Sequence, residues 1–134
     1  MTREEIYADV MVGGGMWARR YEVSNMGNVR SKTTGRVMKP QQPNRHYKFK
    51  QVVLSKGSRN NLVRSGRLVH RLVAEHFCDG YTDGCDVHHI DGDVENNCAD
   101  NLVCVTRGQH VEIHLAARKL RIKQATEMVL NNED

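Results

Sequence analysis

The chain has 134 residues, 27% of them charged and 5% aromatic, with a formal net charge of +4. That length suits one domain, or a small module with an appendage. No run approaches a membrane span, and Met1-Thr2-Arg3-Glu4-Glu5 lacks the apolar core of a secretion signal, so the expectation is a cytoplasmic chain with no membrane partner.

The first sixteen residues read poorly. Glu4 to Val12 suits a short helix or a strand, and Gly13-Gly14-Gly15 is a break; without a following Lys-Ser or Lys-Thr it is no phosphate loop. Strands and tight turns are predicted from Trp17 to Pro40. Tyr21-Glu22-Val23 alternates, Asn25-Met26-Gly27-Asn28 turns, and Val29-Arg30-Ser31 resumes. Arg36 to Lys39 follows another turn. Tyr47 to Leu54 is the best strand pattern, and Leu62 to Arg64 suits a partner across a loop. Arg67 to Phe77 reads as a helix with Leu68, Val69, Leu72, Val73 and Phe77 toward a core. His70 lies off that stripe and suits a hydrogen-bonded structural role, while His46 and His76 suit the surface.

Charge divides the chain. Residues 1–75 carry fifteen Lys or Arg against five Asp or Glu, and residues 76–134 carry five against eleven, giving +10 and −6. A basic half points to a polyanion, most simply nucleic acid. Basic residues recur on the predicted strands and turns, and a small basic sheet can lie in a groove or along phosphates. Arg30, Lys32, Arg36, Lys48 and Lys50 are candidate contacts. The cysteines at 78, 85, 98 and 104 form no C-x-x-C pair, so free thiols are expected.

The densest chemistry lies between Asp86 and His114, where four of the seven histidines fall. His88 and His89 sit on a short apolar run, Val87 to Ile90, that reads as a strand. Leu102 to Val105 reads as its partner. Thr106 suits the N-cap of a helix from Arg107 through Ala117, with room to reach Leu130. His110 and His114 share one face of that helix, a turn apart. A hairpin followed by a helix can bring His88, His110 and His114 together. Three neutral imidazoles suit one divalent ion and leave positions for water and substrate. His89 points to the other strand face, and a free imidazole near a metal suits a general base. Asp91-Gly92-Asp93 is no calcium loop, because its twelfth position is Leu102.

These residues resemble the HNH, or ββα-metal, nuclease motif: an H-H pair, then N-L, then H-x-x-x-H. The resemblance implies that His88 and His110 bind metal, that His89 is the base, and that Asn101 steadies the base. His114 resembles the extra helix histidine of the bacterial-toxin branch. Asn96-Asn97 is family-like and is read as loop structure. Y-E-V-S-N-M-G-N-V-R-S, G-R-V-M-K-P and V-H-R-L-V-A-E-H-F resemble the N-terminal motif of phage HNH homing endonucleases. Many phage members have Asp at the first metal position and Asn on the helix, and use magnesium; here both positions are His.

The expected architecture is α+β: a small basic antiparallel sheet region with a helix at 67–77, all within residues 1–77, then a hairpin–helix metal motif at 78–118. Residues 119–134 form a helical extension. The expected activity is metal-dependent hydrolysis of DNA phosphodiesters by a monomer or homodimer in the host-cell cytoplasm, with one Mg, Mn, Ni, Co or Zn ion. Arg107, near a helix N-terminus, is a further candidate phosphate contact. The alternatives are a non-enzymatic DNA-binding protein with a structural metal, and an RNA-directed nuclease.

Overall fold

The structure is a computed structural model that describes residues 4–131, with side chains described through residue 123. Three antiparallel strands open it: β1 (Tyr7–Asp9), β2 (Tyr21–Ser24) and β3 (Val29–Ser31), in that spatial order. Val23 and Val29 are directly paired and point inward with Val10 and Trp17. The triple glycine breaks the chain as expected, since all three residues take positive φ.

A second antiparallel pair, β4 (Gln51–Lys56) and β5 (Val63–Leu68), leads directly into α1 (Val69–Phe77). Val69, Leu72 and Val73 repeat at helical spacing and are all buried. Burying each is worth about 1.5–3 kcal/mol, which outweighs the helix's lack of a side-chain N-cap. Its first N–H is satisfied instead by the Lys50 carbonyl at 3.0 Å. α1 touches β2, β5, β6 and β7, so it joins the basic strands to the histidine-rich half.

That half is the hairpin β6 (Asp86–His89) and β7 (Leu102–Val105), followed by α2 (Arg107–Asn131). A reciprocal capping box starts α2: the Gln109 N–H donates to Thr106 Oγ1 at 3.1 Å, and the Thr106 N–H donates to Gln109 Oε1 at 2.9 Å. From Val111 to Lys123 every residue is exposed. Residues 132–134 of the expected extension lie outside the described residues. Among the described residues no helix is long and apolar enough to cross a membrane, and the four cysteines are free thiols.

Several boundaries differ from the sequence pattern, β6 lying one residue before the run from Val87 to Ile90. Tyr47 to Lys50 alternates like a strand but lies outside β4, because Phe49 packs on imidazoles and Lys50 pairs with Glu95. Arg67 and Leu68 end β5 rather than begin α1, being held in register opposite Val52 and Gln51.

Candidate metal centre and base

Alternation along β6 decides the site. Asp86 and His88 are half-buried on one face; Val87 and His89 are buried on the other. His88 therefore turns toward α2, where His110 and His114 meet it. Ring centroids are 5.1 Å apart for His88–His110, 5.4 Å for His88–His114 and 4.6 Å for His110–His114. One nitrogen from each ring lies within 4.8 Å of the other two. Bonds of about 2.1 Å to a shared ion place tetrahedral donors about 3.4 Å apart, so the three rings would close by about an ångström to hold a divalent cation, and the chemistry of the donor set fits one. Burial first, then His110, His114 and His89, lowers His88 from the usual imidazole pKa, which keeps its lone pair available.

Asp86 joins this group although the motif reading left it out. His110 Nδ1–H donates to Asp86 Oδ2 at 3.2 Å, which leaves the His110 Nε2 lone pair directed at His114 Nε2, 3.0 Å away. A carboxylate on the far nitrogen fixes the tautomer of a ligating imidazole. The sequence did contain a signal: Asp86 lies two residues before His88, on the same strand face.

His89 occupies a different environment. It is 5% exposed, with its ring stacked near Phe49 at a centroid distance of 6.0 Å and beside His70 at 5.2 Å. Its Nε2–H donates to Asn97 Oδ1 at 2.9 Å, which puts the lone pair on Nδ1. Asn97 is thus the side chain that bonds this ring, whereas Asn101, the residue expected to steady it, makes its side-chain bonds within the loop. Asn101 accepts from the Asp91 N–H at 3.0 Å and donates to Asp91 Oδ1 at 2.8 Å and the Asn96 carbonyl at 2.9 Å. It closes the loop from Asp91 to Asn101, four residues beyond the amide that reaches the His89 ring. Hydrogen bonds from Asn96, the Asp93 N–H and Asn101 lower the Asp91 carboxyl from its usual pKa. Two neighbouring amides of the same type in a short loop cannot be told apart by spacing.

Two other histidines depart from expectation. His70 has no side-chain hydrogen bond among the described residues; it is buried at 6% exposure against Phe49 and His89. Burial, then the charges of His89 and Arg71, push its pKa down to about 4. His76 is no loose surface group: its Nδ1–H donates to the Leu72 carbonyl at 2.8 Å, and its Nε2 accepts from the Met11 N–H at 2.9 Å.

The candidate DNA contacts fall into two classes. Arg30 is paired with Glu22 at 2.6 Å and its guanidinium lies over the Tyr7 ring; Lys32 is paired with Asp9. Lys50 lies 3.7 Å from Glu95. Arg36, Lys48 and Arg107 are exposed and have no ion pair among the described residues. Lys48 and Phe49 also line the cleft that holds His88, His89, His110 and His114.

Residues 67–112 match the HNH endonuclease family, and residues 5–55 match the NUMOD4 motif. The chain is 38% identical over 108 residues to the DNA endonuclease I-HmuI of Bacillus phage SP01, covering 81% of this chain and 59% of that protein. It is 42% identical over 59 residues to the intron-associated endonuclease 3 of Enterobacteria phage RB3, covering 38% of this chain and 21% of that one. A solved structure of the HNH homing endonuclease I-HmuI, described as binding and cleaving DNA, aligns with a TM-score of 0.72 at 34% identity. That alignment covers 92% of this chain and 65% of the other, and the shared α+β arrangement is that of the HNH enzyme. The chain thus spans about three-fifths of the length of its I-HmuI relative.

Proposed function

The chain resembles the phage HNH homing endonucleases along most of its length, and from that premise we propose that it is a metal-dependent endonuclease hydrolysing DNA phosphodiester bonds. The observation that carries the reading is one pair of adjacent residues with two environments. His88 meets His110 and His114 on one face of β6, while His89 is held by Asn97 on the other.

His88, His110 and His114 would hold one divalent ion, with Asp86 orienting His110. When bound, such an ion polarises the scissile phosphate and offsets charge growing on the leaving oxygen. The remaining chemistry belongs to side chains. Asn97 keeps the His89 proton on Nε2, so Nδ1 is free to accept a proton from the attacking water. Phe49 and His70 pack beside that ring, which is 5% exposed. Lys48, at the cleft, is the cation best placed to attract a phosphate, with Arg36 and Arg107 as further exposed contacts. The basic strands of residues 1–77 would supply the rest of the nucleic-acid surface, acting on DNA in the host-cell cytoplasm.

The deciding experiment is supercoiled plasmid incubated with manganese or nickel, with a chelator control and an RNA substrate in parallel. Open circles should appear first and linear DNA later if a monomer cuts one strand at a time. Direct linear product would indicate paired sites in a dimer. Metal-dependent DNA binding without any cleavage would instead favour a DNA-binding protein with a structural metal. Cleavage confined to RNA would redirect the activity.

A further inference from the structure

The turn between β2 and β3 lies some seventy residues before the HNH loop in sequence, yet it abuts the backbone around Asn97. The Ala99 N–H donates to the Asn25 carbonyl at 2.7 Å. Cys98 Sγ–H donates to the Met26 carbonyl at 3.6 Å. Gly27 has φ +89°, and a Cβ there would lie 3.1 Å from both Asn97 Cβ and the Asn97 carbonyl oxygen. Three successive residues of the turn therefore meet three successive residues of the loop.

We propose that this turn, Asn25-Met26-Gly27, is a positioning element of the active site, setting Asn97 and through it the ring of His89. The inference rests on the reading of His89 as the base. The turn is stiff enough for the task. Ser24, fully buried, accepts at Oγ from the N–H groups of Met26 (3.2 Å) and Asn28 (3.0 Å), and donates to Glu5 Oε2 at 3.0 Å. The Asn25 side chain is spent on Ile6 and Glu4. The close approach at Gly27 explains why the turn needs glycine for two reasons at once: its left-handed backbone and the absence of a side chain against Asn97. An N-terminal motif that reads as DNA-binding would then contribute, through its backbone, to proton transfer.

Two glycine substitutions separate contact from backbone strain. Gly27→Ala strains a left-handed residue and pushes on Asn97. Gly80→Ala strains a left-handed residue, φ +76°, whose Cβ would meet nothing within 4 Å. Two readouts are used: the ring-nitrogen NMR signals of His89, and the single-turnover cleavage rate with plasmid and manganese. Gly27→Ala should shift the His89 signals and slow cleavage about 10- to 100-fold, the usual effect of a misplaced catalytic group. Its KM for DNA and its manganese affinity should stay near wild type. Gly80→Ala should move neither readout. Asn97→Ala should reproduce the Gly27→Ala defect, and combining the two should add little. If Gly27→Ala does not fold, Cys98→Ala removes one tie and should shift the same His89 signals less. Unchanged His89 signals in Gly27→Ala, or in Cys98→Ala where that is the variant in use, or equal changes in Gly27→Ala and Gly80→Ala, would overturn the proposal. A wild type that cleaves no nucleic acid would sink the nuclease reading alone, since the NMR comparison still decides whether the turn sets His89.

Discussion

His88 and His89 are neighbours in the chain but belong to two differently built halves of the site. On the His88 side the partners are local and wet. Asp86, His88, His110 and His114 come from one hairpin and the first turns of one helix, and His114 is exposed. On the His89 side the partners are distant and dry. Phe49 comes from the segment leading to β4, His70 from α1, and Asn97 rests on the β2–β3 turn. The contrast suggests a division of labour. Three imidazoles on a partly exposed surface can be drawn together by an ion, because binding energy offsets their ordering. A general base has no such template, so the fold itself must hold it.

The largest expected effects test that division directly. His89→Ala should lower cleavage by about 10²–10⁴-fold, the usual worth of a general base, and leave metal and DNA affinity near wild type. His114→Ala should weaken metal binding, with part of the lost rate returning at high metal concentration. Calorimetry with nickel and a metal titration of cleavage separate the two. If His89→Ala loses metal affinity and is restored by excess metal, the two halves have been assigned the wrong way round.

These halves were unequally legible in the sequence. The ligand side follows from periodicity: alternation separates His88 from His89, and a spacing of four puts His110 above His114. Both patterns are local, so β7 and the helix start appear where the sequence predicts them, and β6 lies one residue before the predicted run. The base side depends on tertiary contacts that no period encodes. Phe49 sits in a strand-like pattern but is turned toward His70 and His89. Asn97 and Asn101 share one loop, and only the fold shows which amide reaches the ring. Net charge likewise showed a basic half but not that Arg30 and Lys32 are already paired with carboxylates.

The dryness of the His89 side has a thermodynamic signature of its own. Burial disfavours the charged form of His70 and pushes its pKa from the ordinary 6.5 down to about 4 in the fold. Above pH 6.5 it is neutral in both states and costs nothing. As pH falls from 6.5 to 4 the unfolded chain takes up a proton that the fold refuses, so stability declines across that window. The loss approaches about 3 kcal/mol once pH is below both values. Urea denaturation at several pH values, wild type against His70→Gln, should show this contribution only in the wild type. A wild type whose stability between pH 6.5 and 4 matches that of His70→Gln would mean that His70 is not dry.

A smaller effect sharpens the ligand side. Asp86→Ala leaves all three imidazoles in place but frees the far nitrogen of His110. Loss of such a carboxylate usually weakens metal binding by about 10–100-fold. Three imidazoles also favour nickel, cobalt and zinc over magnesium. The loss should therefore be plain by calorimetry with nickel or zinc, while His89 and its Asn97 contact are unchanged by NMR. An equal loss in Asp86→Ala and His114→Ala would make Asp86 a ligand rather than an orienting group.

The smallest expected effects concern the basic residues of the first half of the chain, and the ion pairs rank them. Each phosphate contact removed should flatten the plot of log Kd against log salt by about one unit. Lys48 lines the cleft without an ion pair among the described residues, so Lys48→Ala should show close to that full unit. Lys50 must first leave Glu95, 3.7 Å away, so Lys50→Ala should show less. Arg30 and Lys32 already satisfy Glu22 and Asp9, and their removal should barely move the slope. Because those pairs are partly exposed, their loss should cost stability no more than about 1 kcal/mol. Triple replacement of Arg36, Lys48 and Lys50 should therefore flatten the slope more than double replacement of Arg30 and Lys32, although all five are basic residues of the same half. An equal change in both sets would mean that DNA opens the Glu22 and Asp9 pairs, and that the first sheet itself lies on the phosphates.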